Sequence, residues 1–284
     1  MDFLTDNKIP IGKWAQNGVD WLTDNAGFLF DAVAFALEHV IMAFLWCLQT
    51  PHPLIVIVLV VALAWLVKRN VMFPVFVAAA LLLIINQGYW EETTETLSLV
   101  LSASIVCMVL GVPLGVLAAH HPKFSAFLRP ILDLMQTIPT FVYLIPALIL
   151  FGLGMVPGLI ATVIFAIPAP IRLTELGVKS TPQPLLEAGL AFGSTPNQLL
   201  WKVELPYALP NIMAGLTQTI MLSLSMVVIA ALVGADGLGV PTLRALNTVN
   251  IAKGFEVGVA IVLIAIVLDR FLRGNESASK GQSR

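Results

Sequence analysis

The sequence predicts an all-α, polytopic transmembrane protein. Three observations predict it. Of 284 residues, 58% are hydrophobic and 11% are charged, with mean hydropathy +0.92. A soluble domain carries about 25% charged residues, so too little polar material is present to cover a water-facing surface. Apolar runs of about 17 residues or more recur along the chain, the length a bilayer demands. The net charge of −2 carries no nucleic-acid signal, and no such partner is expected.

The elements follow in order. Residues 1–27 are a polar lead-in with Asp2, Asp6, Asp20 and Asp24, lacking the basic start and apolar run of a cleavable signal. Trp14 and Trp21 suit a membrane interface. Residues 28–48 are apolar but carry Asp31, Glu38 and His39. Asp31 and Glu38 are seven apart and share a helix face, which predicts an interfacial amphipathic helix; a crossing is the alternative. Spans are predicted at 53–67, 71–86, 96–119, 131–152, 155–172, 207–233 and 255–272, seven in all, or eight if 28–48 crosses.

A polar segment, 173–206, interrupts the spans and predicts two short helices. Pro182 and Pro184 precede Leu185–Phe192, and proline is tolerated in a first turn. Gly193 suits the left-handed residue that ends a helix. Ser194 or Thr195 can cap a second helix with Pro196 at its first position, and Leu205-Pro206 closes it. Placing this segment in the cytoplasm puts eleven Lys and Arg residues inside, against Lys8, Lys13, Arg244 and Lys253 outside. That asymmetry satisfies the positive-inside bias and places the C-terminus inside.

The spacing within this segment is specific. Glu187-Ala188-Gly189, three residues, Gly193, nine residues, Val203, one residue, then Leu205-Pro206 resembles the EAA loop of binding-protein-dependent ABC importer permeases. The usual pattern there is Glu-Ala-Ala, three residues, Gly, nine residues, Ile, one residue, Leu-Pro. Gly189 and Val203 are small departures from it. Thr137–Gly154, Ile167–Gly177, Val233–Gly239 and Gly254–Gly258 further resemble the glycine betaine/proline/choline, or quaternary amine, branch of that family.

The resemblance implies a five-helix permease core at 94–272, preceded by scaffold spans at 53–93 and an N-terminal segment at 1–52, with a tail at 273–284. It implies a non-catalytic subunit of a multi-pass importer in the bacterial inner membrane. Its partners would be a second copy of itself, two cytoplasmic ABC ATPases and a separate substrate-binding protein. Glu187, Ala188, Gly189, Gly193, Val203, Leu205 and Pro206 would couple to the ATPases. Ala188 and Gly189 are expected to leave a low-relief surface for close approach.

Other residues are candidates on chemical grounds. Quaternary ammonium groups are recognised by aromatic faces, which singles out Phe141, Tyr143 and Phe165 within the spans. Intramembrane polar groups often mark pathways, which singles out Gln136, Thr137, Thr140, Thr217, Gln218, Ser223 and Ser225. Helix packing and interhelical bonding are the alternative for each. Prolines 139, 146, 168 and 170 kink helices around a cavity or pack. His120-His121 and Asp133 read as charges suited to helix ends, and Arg172 and Glu175 as anchors of the loop. Cys47 and Cys107 stand singly in apolar stretches and give no metal or disulfide framework. No phosphate-binding Gly-x-x-x-x-Gly-Lys-[Ser/Thr] loop is present, so no cofactor is expected in this chain; ATP and Mg belong to the partner. An ion-coupled transporter or an osmotically gated channel is the rival reading.

Overall fold

The computed structural model describes residues 10–272; the first nine residues and the expected tail at 273–284 lie outside the described residues. The described chain is helical. In order it forms α1 (Ile11–Gln49), α2 (Pro53–Lys68), α3 (Met72–Asn86), α4 (Trp90–His120), α5 (Pro122–Thr137), α6 (Thr140–Phe151), α7 (Met155–Ala166) and α8 (Pro168–Lys179). It continues with α9 (Gln183–Ala191), α10 (Pro196–Leu199), a π turn (Leu200–Glu204), α11 (Leu205–Ala230), α12 (Gly239–Asn247) and α13 (Ile251–Leu272).

α8 is wedged between α4 and α11, and small residues set both contacts. A β-carbon added to Gly115 of α4 would stand 2.6 Å from the Ile171 carbonyl oxygen. One added to Gly177 of α8 would stand 3.0 Å from Ala208 Cβ of α11. Close backbone approach is how helices associate in a bilayer, where lipid is as apolar as leucine. The register gives the bundle two ends. Leu159 packs with Ala103, and the Cys107 thiol faces the Val163 carbonyl, so α7 runs parallel to α4. Gly158 meets Ala230 and Gly177 meets Ala208, so α11 runs antiparallel to α7 and α8. α2, α3 and α13 form a second layer around Val77, Ile84, Val257 and Ile264, which closes on Val100 of α4 and Leu224 of α11.

Several expectations are corrected. The lead-in and the interfacial helix are one continuous helix of 39 residues, about 58 Å at 1.5 Å per residue. No proline or turn interrupts it, and its C-terminal half packs into the bundle antiparallel to α4. Ile41 joins Ala103 and Leu159 in the core, and Gln49 Nε2 donates to Thr94 Oγ1 at 2.9 Å. The helix is long and apolar enough to cross a membrane. α2 and α3, expected as full spans, have 16 and 15 residues. That is about 24 and 22 Å, short of a 30 Å hydrocarbon core.

The expected span 131–152 is two helices, α5 and α6, bent by 96°. Pro139 has no N–H and disfavours helical geometry in its predecessor; Ile138 accordingly lies at φ −66°, ψ 129°. The expected span 155–172 extends through α8 to Lys179, a 25-residue helical run. Asp133 stands in the last third of α5 rather than near a helix start.

Candidate functional site

The polar segment folds as a helical hairpin, α9 and α10, at the end of the bundle where α8 stops. Its turn is built by Gly193, at φ +76°. The Gly193 N–H donates to the Leu190 carbonyl at 2.9 Å and the Ser194 N–H to the Gly189 carbonyl at 3.1 Å, the Schellman pair that satisfies the last carbonyls of α9. Thr195 then caps α10. Its hydroxyl accepts from the Gln198 N–H at 3.3 Å, while Gln198 Oε1 accepts from the Thr195 N–H at 2.9 Å. This reciprocal box fixes the start of α10.

Gly189 does not lie on an outer surface as expected. A β-carbon there would stand 2.6 Å from Leu199 Cδ1 and 3.8 Å from Val203 Cγ2. The small residue lets α9 and α10 cross closely, so the Gly189–Val203 spacing is a contact inside the hairpin. Ala188 and Glu187 are exposed, and Gln183 Nε2 donates to Glu187 Oε1 at 3.3 Å. The outer face is apolar and uncovered. Phe192 is 91% exposed, Trp201 71%, Leu190 57% and Leu185 46%. The sequence reading passed over these four; their signal was bulky apolar residues in a segment otherwise too polar to span.

Leu205-Pro206 does not close α10. The helix runs on from Pro196 to Val233 through the π turn, whose extra residue sends the Leu205 N–H to the Leu200 carbonyl. That local widening accommodates a proline that lacks an N–H. Leu205 packs with Val178 of α8, Ala208 and Ile212 of α11, and Val116 and Ala119 of α4. Pro206 is exposed. The hairpin is thus rigidly continuous with α11 and separated from α8 by a short connection.

The other candidates fall into separate groups. Gln136, Thr137 and Thr140 flank the α5–α6 elbow, where Phe141 is 56% exposed. Tyr143 instead packs with Phe165, Leu144 and Met226 between α6, α7 and α11. On α11, Gln218 is exposed and Thr217 donates to the Met213 carbonyl at 3.1 Å. Ser223 is buried and donates to the Thr219 carbonyl at 2.8 Å, and Ser225 to that of Met221 at 3.1 Å. Their hydroxyls are engaged within their own helix.

Near the hairpin, α5 and α8 exchange charges. Arg172 Nη2 donates to Asp133 Oδ1 at 2.5 Å, and Glu175 accepts from Ser125, at 2.6 Å, and from Lys179. Arg129 Nη2 stands 3.8 Å from Glu175 Oε1. With Leu176, these five charged side chains line a cavity of about 350 Å³. Arg172 and Glu175 therefore tie α8 to α5. Among the described residues, no group of three or more His, Cys, Asp or Glu side chains is placed to hold a metal ion.

A polytopic helical bundle bearing a rigid hairpin with an uncovered apolar face defines a class: a membrane subunit built to meet another protein at one end. Residues 111–277 match the family described as binding-protein-dependent transport system inner membrane component. The chain is 43% identical to the glycine betaine/carnitine transport permease protein GbuB of Listeria monocytogenes, covering 96% of this chain and 98% of that one. It is 42% identical to the glycine betaine/proline betaine transport system permease protein ProW of Escherichia coli, covering 97% and 78%. It is also 42% identical to the glycine betaine transport system permease protein OpuAB of Bacillus subtilis, covering 97% of both. Among solved structures, the MetNI methionine ABC transporter in an inward-facing conformation superposes with TM-score 0.59 at 25% identity, over 65% of this chain and 94% of that one. The chain belongs to the family of inner-membrane components of binding-protein-dependent ABC importers.

Proposed function

We propose that this chain is the permease subunit that carries a quaternary amine solute, glycine betaine, proline betaine or choline, across the bacterial inner membrane. It pairs with a second copy, rests on two cytoplasmic ATPases and receives substrate from a separate binding protein. Relatives at 42–43% identity are named for glycine betaine transport. ATP and Mg bind the partner; this chain supplies the wall of the path.

One observation carries the coupling role: the hairpin presents Phe192, Trp201, Leu190 and Leu185 outward while its inner side is locked to α11. Exposed apolar clusters of this kind mark protein contacts. ATPase closure would press on α9, and the continuous α10–α11 helix would carry the displacement along the bundle. Such a push shifts the balance between two conformations of the path. From residue 53 onward, the hairpin end carries Lys68, Arg69, Lys123, Arg129, Arg172, Lys179, Lys202 and Arg270, against Arg244 and Lys253 at the other end. This asymmetry supports a cytoplasmic hairpin. Exposed Phe141, Thr137 and Gln218 and half-buried Thr217 are the residues we assign to the path between copies.

The test is uptake of labelled glycine betaine into proteoliposomes holding the permease, its ATPase and its binding protein. Accumulation is expected only with ATP. Uptake indifferent to ATP would overturn the importer reading in favour of an ion-coupled transporter or a channel.

A further inference from the structure

The hairpin re-enters the bundle beside the end of α4. The π turn places Glu204 on the inner side. Lys202 and Pro206 are exposed, whereas Glu204 is 7% exposed and its Oε2 is out of reach of solvent. That oxygen stands 2.9 Å from His120 Nε2 in the last turn of α4. His120 Nδ1 faces the Val116 carbonyl, one turn back, at 3.0 Å. The Glu204 contact is at ion-pair distance without hydrogen-bond alignment, while the other ring nitrogen is held against α4's own backbone. Their chain neighbours Leu205, Val116 and Ala119 pack against one apolar cluster with Val178, Ala208 and Ile212. A carboxylate buried among such groups is costly without a polar partner, so the two side chains hold each other in place. π turns recur at functional positions because the extra residue redirects the side chains that follow; here it turns a carboxylate toward another helix.

We propose that His120 and Glu204 form a clamp tying the coupling hairpin to α4, so that a push on α9 moves α4 together with α11. Both are positioning residues for the transport cycle. α4 contacts α8 through Gly111 and Gly115 and α1 through Ala103. Moving its end therefore engages the rest of the bundle, and the clamp adds a polar link to the apolar packing of α11 on α4. The inference rests on the coupling role of the hairpin.

The complex, with its ATPase and binding protein, is reconstituted in proteoliposomes, and glycine betaine transported per ATP hydrolysed is measured. Wild type is scored first: uptake that ignores ATP overturns the importer reading itself, before any variant is considered. Given ATP-driven wild-type uptake, His120→Ala and Glu204→Gln are expected to keep ATP hydrolysis. Transport per ATP should fall by about two- to thirty-fold, the range over which such couplings are tuned. The double variant is expected to be no worse than either single one, as two halves of one contact require. His120→Lys, which offers a polar partner to Glu204, should restore much of the ratio. His121→Ala, next door but directed at the Leu117 carbonyl, should leave it unchanged. Glu204→Gln preserves shape and decides the question if His120→Ala does not assemble. A Glu204→Gln complex with a wild-type ratio, or single effects that add in the double variant, would overturn the clamp.

Discussion

Replacing Gly193 with alanine isolates the geometry of the hairpin. The backbone there sits at φ +76°, in the left-handed region that costs an L-residue about 1–2 kcal/mol. No atom lies within 4 Å of the added β-carbon, so the penalty is purely backbone. The turn holds the Gly193–Leu190 and Ser194–Gly189 hydrogen bonds, which set the angle of α10 to α9. A partner that needs this angle must meet the strain on binding. At 1.4 kcal/mol per tenfold, its affinity falls by about five- to thirty-fold. Gly189→Ala is the matched control. Its β-carbon meets Leu199 Cδ1, the free end of a side chain that can rotate away. Alanine also favours a helix by about 1 kcal/mol over glycine, and affinity should stay within about twofold. The assay is binding of the purified ATPase to permease immobilised in nanodiscs. Gly193→Ala binding like wild type, or Gly189→Ala as harmful as Gly193→Ala, would refute the reasoning.

Two further outcomes are expected. Phe192→Ser removes a side chain that is 91% exposed. Thermal unfolding in detergent should not change, while ATPase binding weakens by about 2 kcal/mol, the scale of a central aromatic anchor; equal binding would remove Phe192 from the docking face. Cysteines at Lys179 and at Val249, which is 81% exposed at the opposite end, should react with an impermeant maleimide from opposite sides of the membrane, Lys179→Cys from the cytoplasm. Labelling of both from one side would contradict the topology.

Much of the fold was legible in the sequence because bilayer solvation acts on composition. From residue 53 onward each apolar run falls within one helical run, except 131–152, which breaks at Pro139, and α2 and α3 are short. What was missed arose from contacts between distant residues. Acidic Asp31 and Glu38 made 28–48 read as interfacial, yet Ile41 seats the same helix against Ala103 and Leu159. Asp133 looked like a helix-start charge because its partner, Arg172, lies 39 residues away. Pro139 and Pro206 carry the same local signal. Pro139 bends the chain by 96°, while a π turn absorbs Pro206 and the helix continues. Packing on either side decides between those outcomes, and no local rule does.

The hairpin divides along the same line. By itself the sequence determined that a polar segment with Glu187, Gly193 and Leu205-Pro206 at set intervals separates two spans. Turn chemistry and helix caps are encoded within a few residues. Only the tertiary structure decided that Gly189 faces inward against Leu199, that Phe192 and Trp201 are left uncovered, and that Glu204 meets His120. Those facts depend on how α4, α8 and α11 pack, which brings His120 and Glu204 together across 84 residues of chain. A side chain's neighbours across such a distance are set by the sum of all the packing, and one stretch of sequence does not contain it.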